Sequence, residues 1–209
     1  DITPADRGGG CLWDVAPWRS LVPDEKYLTL FGRATVRIND SAEFYAEVGF
    51  SEKKTRWQVQ PGGVSGSWGF PGGPVNASSG PGATVLGQNH PDNPLGYAAR
   101  PRYAAFDVGP RVTNNKNQFQ RLLFGINGAW GEWNYDLGYL HSSTSLVGRR
   151  TGYLRYSRVR EVLSTANNPV GAYWRLGDDA HRNSQAMYDY ISPEITAEAT
   201  TSLDMLDFK

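Results

Sequence analysis

Three short stretches carry residue types that could do chemistry. Ser65 lies in Gly63-Val64-Ser65-Gly66-Ser67, close to the Gly-x-Ser-x-Gly elbow that presents a nucleophilic serine. The final glycine of that pattern is missing, so the segment reads as a flexible loop. Asp178, Asp179 and His181 are metal-ligand types. No second cluster at ligand spacing accompanies them, and they read as a solvated loop. In His90-Pro91-Asp92-Asn93-Pro94 the prolines set a rigid turn, with calcium ligation by Asp92 as the other reading. No catalytic constellation, metal site or cofactor site emerges, and the expectation is a protein that is not an enzyme.

The chemistry left over is recognition. Trp68, Phe70, Tyr97 and Tyr103 share one stretch with Arg100 and Arg102. Aromatic rings stack on sugars or catecholates, and arginine pairs with anionic chelates. This stretch is expected to form part of an external binding surface. The alternative is that its aromatics pack the loop on itself.

The elements that must position such a loop are strands. Along 27–51, Leu28, Leu30, Ala34, Val36 and Ile38 alternate with Thr29, Arg33, Thr35 and Arg37. The pattern resumes after Asn39-Asp40-Ser41 with Ala42, Phe44, Ala46, Val48 and Phe50 against Glu43, Tyr45, Glu47 and Ser51. Such alternation marks a half-buried strand. A three-residue loop at 39–41 sets Ile38 opposite Ala42, Val36 opposite Phe44 and Leu30 opposite Phe50. It also sets Arg37 opposite Glu43 and Arg33 opposite Glu47, so like matches like on both faces. A second hairpin, 118–143, turns at Gly131-Glu132, with glycine first as a type II′ turn requires. Phe124 then opposes Tyr139, and Ile126 opposes Leu137. A fifth strand, 195–208, alternates Ile195, Ala197, Ala199, Leu203 and Met205 against Thr196, Glu198, Thr200, Ser202 and Asp204. Stretches 1–26, 56–117 and 145–194 read as long loops, with a short helix in 149–165 where Tyr156, Val159 and Val162 recur at helical spacing.

With 21 basic and 21 acidic residues the formal charge is zero, which argues against nucleic acid as a partner. Aromatics at 12% are too many for a disordered chain. No run of about 18 apolar residues occurs, so no helix can span a membrane, but barrel strands leave only a weak alternating signal. The chain opens Asp-Ile-Thr-Pro without an initiator Met or signal peptide, which reads as a fragment or a processed chain. Cys11, the single cysteine, is a free thiol or half of a bridge to a residue outside this segment.

A soluble sandwich and a membrane barrel share this alternation. The patterned runs exceed the usual ~5–6 residues, and tight turns alternate with long loops, as in outer-membrane barrels. Trp130 and Trp133 flank the second turn, where an aromatic girdle would meet lipid headgroups. Arg33, Arg37, Glu43 and Glu47 would then face a lumen as the pairs Arg33–Glu47 and Arg37–Glu43. The expected fold class is all-β, about five antiparallel strands of a large transmembrane β-barrel with long extracellular loops. Five strands cannot close such a barrel, since the smallest have ~8.

The segments LFGRATVRINDSAEFYAEVGFS, NHPDNPLG, FGINGAWGEWNYDLGYLHSSTS and ATTSLDMLDF resemble the barrel region of TonB-dependent outer-membrane receptors of gamma-proteobacteria such as the xanthomonads. The likeness covers nearly all of 1–209, and its strand and turn motifs are silent on cargo. The resemblance implies a 22-stranded barrel with an N-terminal plug in the bacterial outer membrane. It also implies import of a siderophore, vitamin B12, a nickel chelate or a carbohydrate, driven by the TonB complex through a plug and TonB box that this segment lacks. Outer-membrane lipid is the other implied partner. Cys11 would sit in an extracellular loop and bridge to a cysteine upstream. Two further functions stand beside this one: a self-folding secreted β-domain that binds carbohydrate or another surface ligand, and a secreted hydrolase whose site has not been recognised.

Overall fold

A computed structural model of the chain describes residues 14–65, 86–99 and 101–209, without the side chain of Ser65. Cys11, Trp68, Phe70 and Arg100 lie outside these residues. The described chain is largely antiparallel β-structure. Strands β1 (Asp24–Asn39), β2 (Ala42–Val59), β5 (Arg111–Trp130), β6 (Trp133–Thr151) and β7 (Ile195–Phe208) form one sheet in the order β1-β2-β5-β6-β7. The three-residue strands β3 (Gly63–Ser65) and β4 (Arg102–Ala104) pair with each other. Helices α1 (Tyr156–Ser164) and α2 (Gln185–Ile191) follow β6. The residues divide into a sheet unit, Pro23–Arg56, Thr113–Arg149 and Thr196–Lys209, and a second unit, Asp1–Val22, Trp57–Val112 and Arg150–Ile195.

Leu30 opposes Phe50, Val36 opposes Phe44, Arg33 opposes Glu47 and Arg37 opposes Glu43, as the alternation requires. The turn differs from the expected three-residue loop. Asn39, not Ile38, faces Ala42, so the turn is Asp40-Ser41 and the register shifts between Arg37 and Asn39. The Asn39 carboxamide oxygen accepts the Ser41 N–H at 2.8 Å. That local bond draws Asn39 into the ladder and leaves Ile38 as the extra residue of a β-bulge. The second turn is Gly131-Glu132 as read, with Gly131 at φ +65°, a conformation that costs a residue with a Cβ.

The strands outrun the apolar alternation that reveals them. β1 begins at Asp24, β2 runs on through Lys53, Lys54 and Arg56, and β5 begins at Arg111. β1 and β7 occupy the two ends of the sheet order, so each offers one edge with no neighbour among the described residues.

The second unit corrects the expected loops 56–117 and 145–194, which hold structure of their own. Val64, Leu86, Ala105, Val159, Val162, Leu163, Trp174, Met187 and Ile191 form a buried core. The α1 residues Val159, Val162 and Leu163 share one helical stripe. Ser184 caps α2 by accepting the Met187 N–H.

Candidate functional site

Two features stand out: the faces of the large sheet, and a polar network in the second unit. On one sheet face Leu30, Val36, Phe44, Val48, Leu122, Phe124 and Leu137 are exposed at 38–59%. Trp130 and Trp133, on either side of the Gly131-Glu132 turn, are 84% and 80% exposed. Nothing among the described residues covers this band.

The upper border of the band is oblique. On β1 it reaches Leu28, but the residue opposite on β2 is already Glu52, so there it stops at Phe50. Glu52 accepts from Gln118 of β5 at 2.8 Å. Gln120 follows, and the continuous apolar run on that face begins at Leu122. On β6 the continuous apolar run ends at Tyr139, whose ring lies 5.1 Å from that of Phe124, with His141 beyond it and Val147 set apart farther along. On β7 the last is Leu206, with Asp204 beyond it. Across four strand steps the border drops six residues, roughly 20 Å along the strands over roughly 19 Å of sheet width, an inclination of about 45°.

β7 runs in the opposite phase to the expected one. Asp136 and Lys209 exchange both backbone hydrogen bonds, at 3.1 and 2.9 Å, which fixes the register. Asp204 accepts from the Tyr139 hydroxyl at 2.7 Å and lies 2.7 Å from Nδ1 of His141. Asp204, Leu206 and Phe208 therefore share the face of Phe124, and Leu203 and Met205 point to the other face. The strand shows weak contrast, and only the backbone pairing decides between its phases.

The opposite sheet face carries a knitted polar network beside the exposed Phe31, Leu203 and Met205. Glu47 binds Arg33 at 3.2 Å and Arg121 at 2.7 Å, joining β1, β2 and β5. Arg37 and Glu43 oppose each other in register but form no ion pair, unlike Arg33 and Glu47. Tyr45 lies over Gly125 and donates to Asp136 at 3.0 Å. A Cβ on Gly125 would meet its ring at 2.5 Å, so the missing side chain makes room for the tyrosine.

In the second unit, Arg175 donates to both Asp92 oxygens, at 2.5 to 3.1 Å, and also pairs with Asp179. The Leu176 N–H adds a bond to Asp92 at 2.8 Å. Burial alone would raise the Asp92 carboxyl, but the guanidinium and this N–H hold it below the ordinary aspartate range. Its partner among the described residues is thus an arginine. His90 is buried. Its Nε2 lies 3.0 Å from the Trp174 carbonyl, and its Nδ1 accepts the Asp92 N–H at 3.1 Å, so both nitrogens are used by the neutral ring. Burial also lowers its pKa. Asp178, Asp179 and His181 fall on a 3-10 turn, Gly177–Arg182. No cluster of metal-ligating side chains occurs among the described residues.

The expected recognition residues separate. Tyr103 packs edge-on against Trp174 at 5.6 Å and donates to Asp107 at 2.8 Å. Asp107 also accepts the Trp174 indole N–H at 2.9 Å. Burial, followed by this bond, raises the Tyr103 pKa. Tyr103 thus packs its own unit, whereas Tyr97 is 62% exposed and Arg102 is exposed on β4. Sequence reasoning missed the Asp92–Arg175 and Tyr45–Asp136 pairs, whose members stand 83 and 91 positions apart. The glycine opposite Tyr45 is the one local signal that could have suggested the second.

Comparison with protein-family models, with curated proteins and with solved structures gives no match.

Proposed function

We propose that the chain is a wall segment, with its loop-side unit, of a transmembrane β-barrel in a bacterial outer membrane, of the TonB-dependent receptor type. The observation that carries the membrane reading is the uncovered apolar face with its oblique border. A soluble sheet exposing this much apolar surface would aggregate or bind a partner. Lipid is a partner that needs only such a surface. Outer-membrane strands tilt by roughly 35–45°, so a flat membrane boundary crosses them obliquely, at an inclination close to that of the border. Trp130 and Trp133 fit the aromatic girdle at the short-turn end. The Arg33–Glu47 and Arg121–Glu47 pairs, with Arg37 and Glu43 nearby, fit a wet lumen.

Import of a siderophore, carbohydrate or similar scarce nutrient rests on the resemblance of the strand and turn segments to that receptor family. In this reading the TonB complex engages a part of the receptor beyond these residues, and cargo meets the loop-side unit. Tyr97 and Arg102 are its contacts among the described residues, and Trp68, Phe70 and Arg100 belong to the same proposal. Tyr103 supports them from within.

The test is a set of spin labels on cysteines introduced into the full gene product, with Cys11 replaced by serine, after reconstitution in lipid. Labels at Val48 and Leu122 should report hydrocarbon, and labels at Thr35 and Lys26 should report water. Water contact at all four positions sinks the membrane reading. Gene deletion followed by uptake assays with iron chelates, cobalamin and oligosaccharides tests import. Undiminished uptake of every compound removes it.

A further inference from the structure

Beyond the apolar border, the outer face of the sheet changes character. A groove of about 560 Å³ there is lined by Lys26, Lys54, Arg56, Lys116 and Arg149, against the carboxylates of Asp24 and Glu198. All seven continue the face of Leu28 and Phe50, because strand side chains alternate and Lys26 stands two residues beyond Leu28.

The charge arrangement is costly as it stands. Lys26 is directly opposite Lys54, and like charges opposed across strands destabilise a sheet. One carboxylate, Glu52, serves both Lys54 at 2.8 Å and Lys116 at 3.3 Å. Among the described residues Lys26, Arg56 and Arg149 form no ion pair. Between the groove and the apolar border, β6 and β7 carry a run of hydroxyls on the same face: Ser143, Ser145, Thr200 and Ser202. A surface that is apolar, then hydroxyl-rich, then cationic matches a molecule with acyl chains, a sugar headgroup and phosphates, in that order.

We propose that this groove binds the phosphorylated sugar headgroup of an outer-leaflet glycolipid, whose acyl chains lie along the Leu28–Phe50–Leu122 band. This rests on the membrane reading above. Phosphate oxygens accept from Lys26, Lys54 and Lys116 and relieve their mutual repulsion. The hydroxyl side chains meet the sugar.

The experiment uses the full gene product, reconstituted in phosphatidylethanolamine vesicles with or without bisphosphorylated lipid A, and measures retention of the labelled glycolipid. The triple variant Lys26→Gln, Lys54→Gln, Lys116→Gln should bind about a hundred-fold more weakly, at roughly a factor of five or more per cation. Lys53→Gln, whose partner is Glu25 on the other face, should leave binding unchanged. It also serves as the control that loss of a lysine does not itself unfold the sheet. Equal retention by wild type and triple variant overturns the proposal, as does equal retention of lipid A stripped of its phosphates. Displacement of the glycolipid by millimolar inorganic phosphate would make free phosphate the ligand and also overturns it. Wild type that fails to insert into vesicles breaks the membrane reading, whereas protein that inserts but ignores the phosphates breaks this inference alone.

Discussion

The second unit buries Trp174, Leu163, Met187 and Ile191 almost completely, whereas the sheet leaves Leu30, Val36, Val48 and Leu203 more than half exposed. Both regions belong to one chain and use the same apolar residue types. In the second unit, helices and short strands close around those residues, as water demands. In the sheet most of the apolar residues are ordered just as strictly, on one face with an oblique border, yet no described residue encloses them. On the proposed reading, a surface organised to that degree and left open faces a different surrounding medium. The chain buries one set of apolar residues with its own side chains and leaves the other set open.

That contrast can be broken most severely at Trp174. Trp174→Ala removes a fully buried side chain and its bond to Asp107, and should destabilise the second unit by about 3–5 kcal/mol. Hydrogen exchange should then rise across α1 and α2 with little change in β1 and β2. Simultaneous loss of protection in the sheet would mean that the two regions are not independently stabilised.

Val48→Arg tests the open face. In lipid it should cost about 1–2 kcal/mol of insertion stability, between the values for an interface and for the midplane, read from unfolding of the reconstituted protein. Thr35→Arg on the other face should cost little. Equal effects would erase the distinction between the faces.

Acid sharpens the comparison further. Asp92 has a depressed pKa, so the stability it contributes is complete above the unfolded value, about 3.9, and is lost as pH falls through the folded value. His90 is held neutral with its pKa also depressed, so its contribution is complete above about 6.5 and declines as pH falls below that. Both act in the same direction. Protection of the second unit should decline in two stages on acidification, and Asp92→Asn should abolish the lower one and weaken protection at neutral pH by roughly tenfold. A flat pH profile for the wild-type protein would refute this assignment.

The smallest effect belongs to the polar face. Arg37→Gln should alter stability by less than about 0.5 kcal/mol, because no ion pair is lost. Arg121→Gln, which removes one of two partners from Glu47, should cost more. Thermal unfolding of the two variants side by side checks that order.

Alternation made the hairpin faces legible, because a one-residue slip would have set Arg33 against an apolar neighbour. Glycine before Glu132 gave away the second turn. The first turn escaped, since Asn39 can either lie in the loop or bind Ser41 and end the strand, and the side-chain bond decides. β7 escaped because Thr200, Ser202 and Asp204 on one face and Ala199, Leu203 and Met205 on the other leave either phase feasible until Lys209 pairs with Asp136. The core of the second unit was hidden for a different reason. Val64, Leu86, Trp174 and Ile191 come from distant segments, each too short to show a period, and α1 alone betrayed itself by spacing. Arg175 carried no local mark at all.

The outer edges of β1 and β7, without a neighbour among the described residues, bear on how the sheet is assembled. Along strands of sixteen and fourteen residues, every other residue turns its N–H and C=O outward with no partner among the described residues, a ready template for another strand. A nascent chain carrying both needs an escort until its proper neighbours are in place, and the safest itinerary adds strands one after another against a template that keeps one edge occupied throughout.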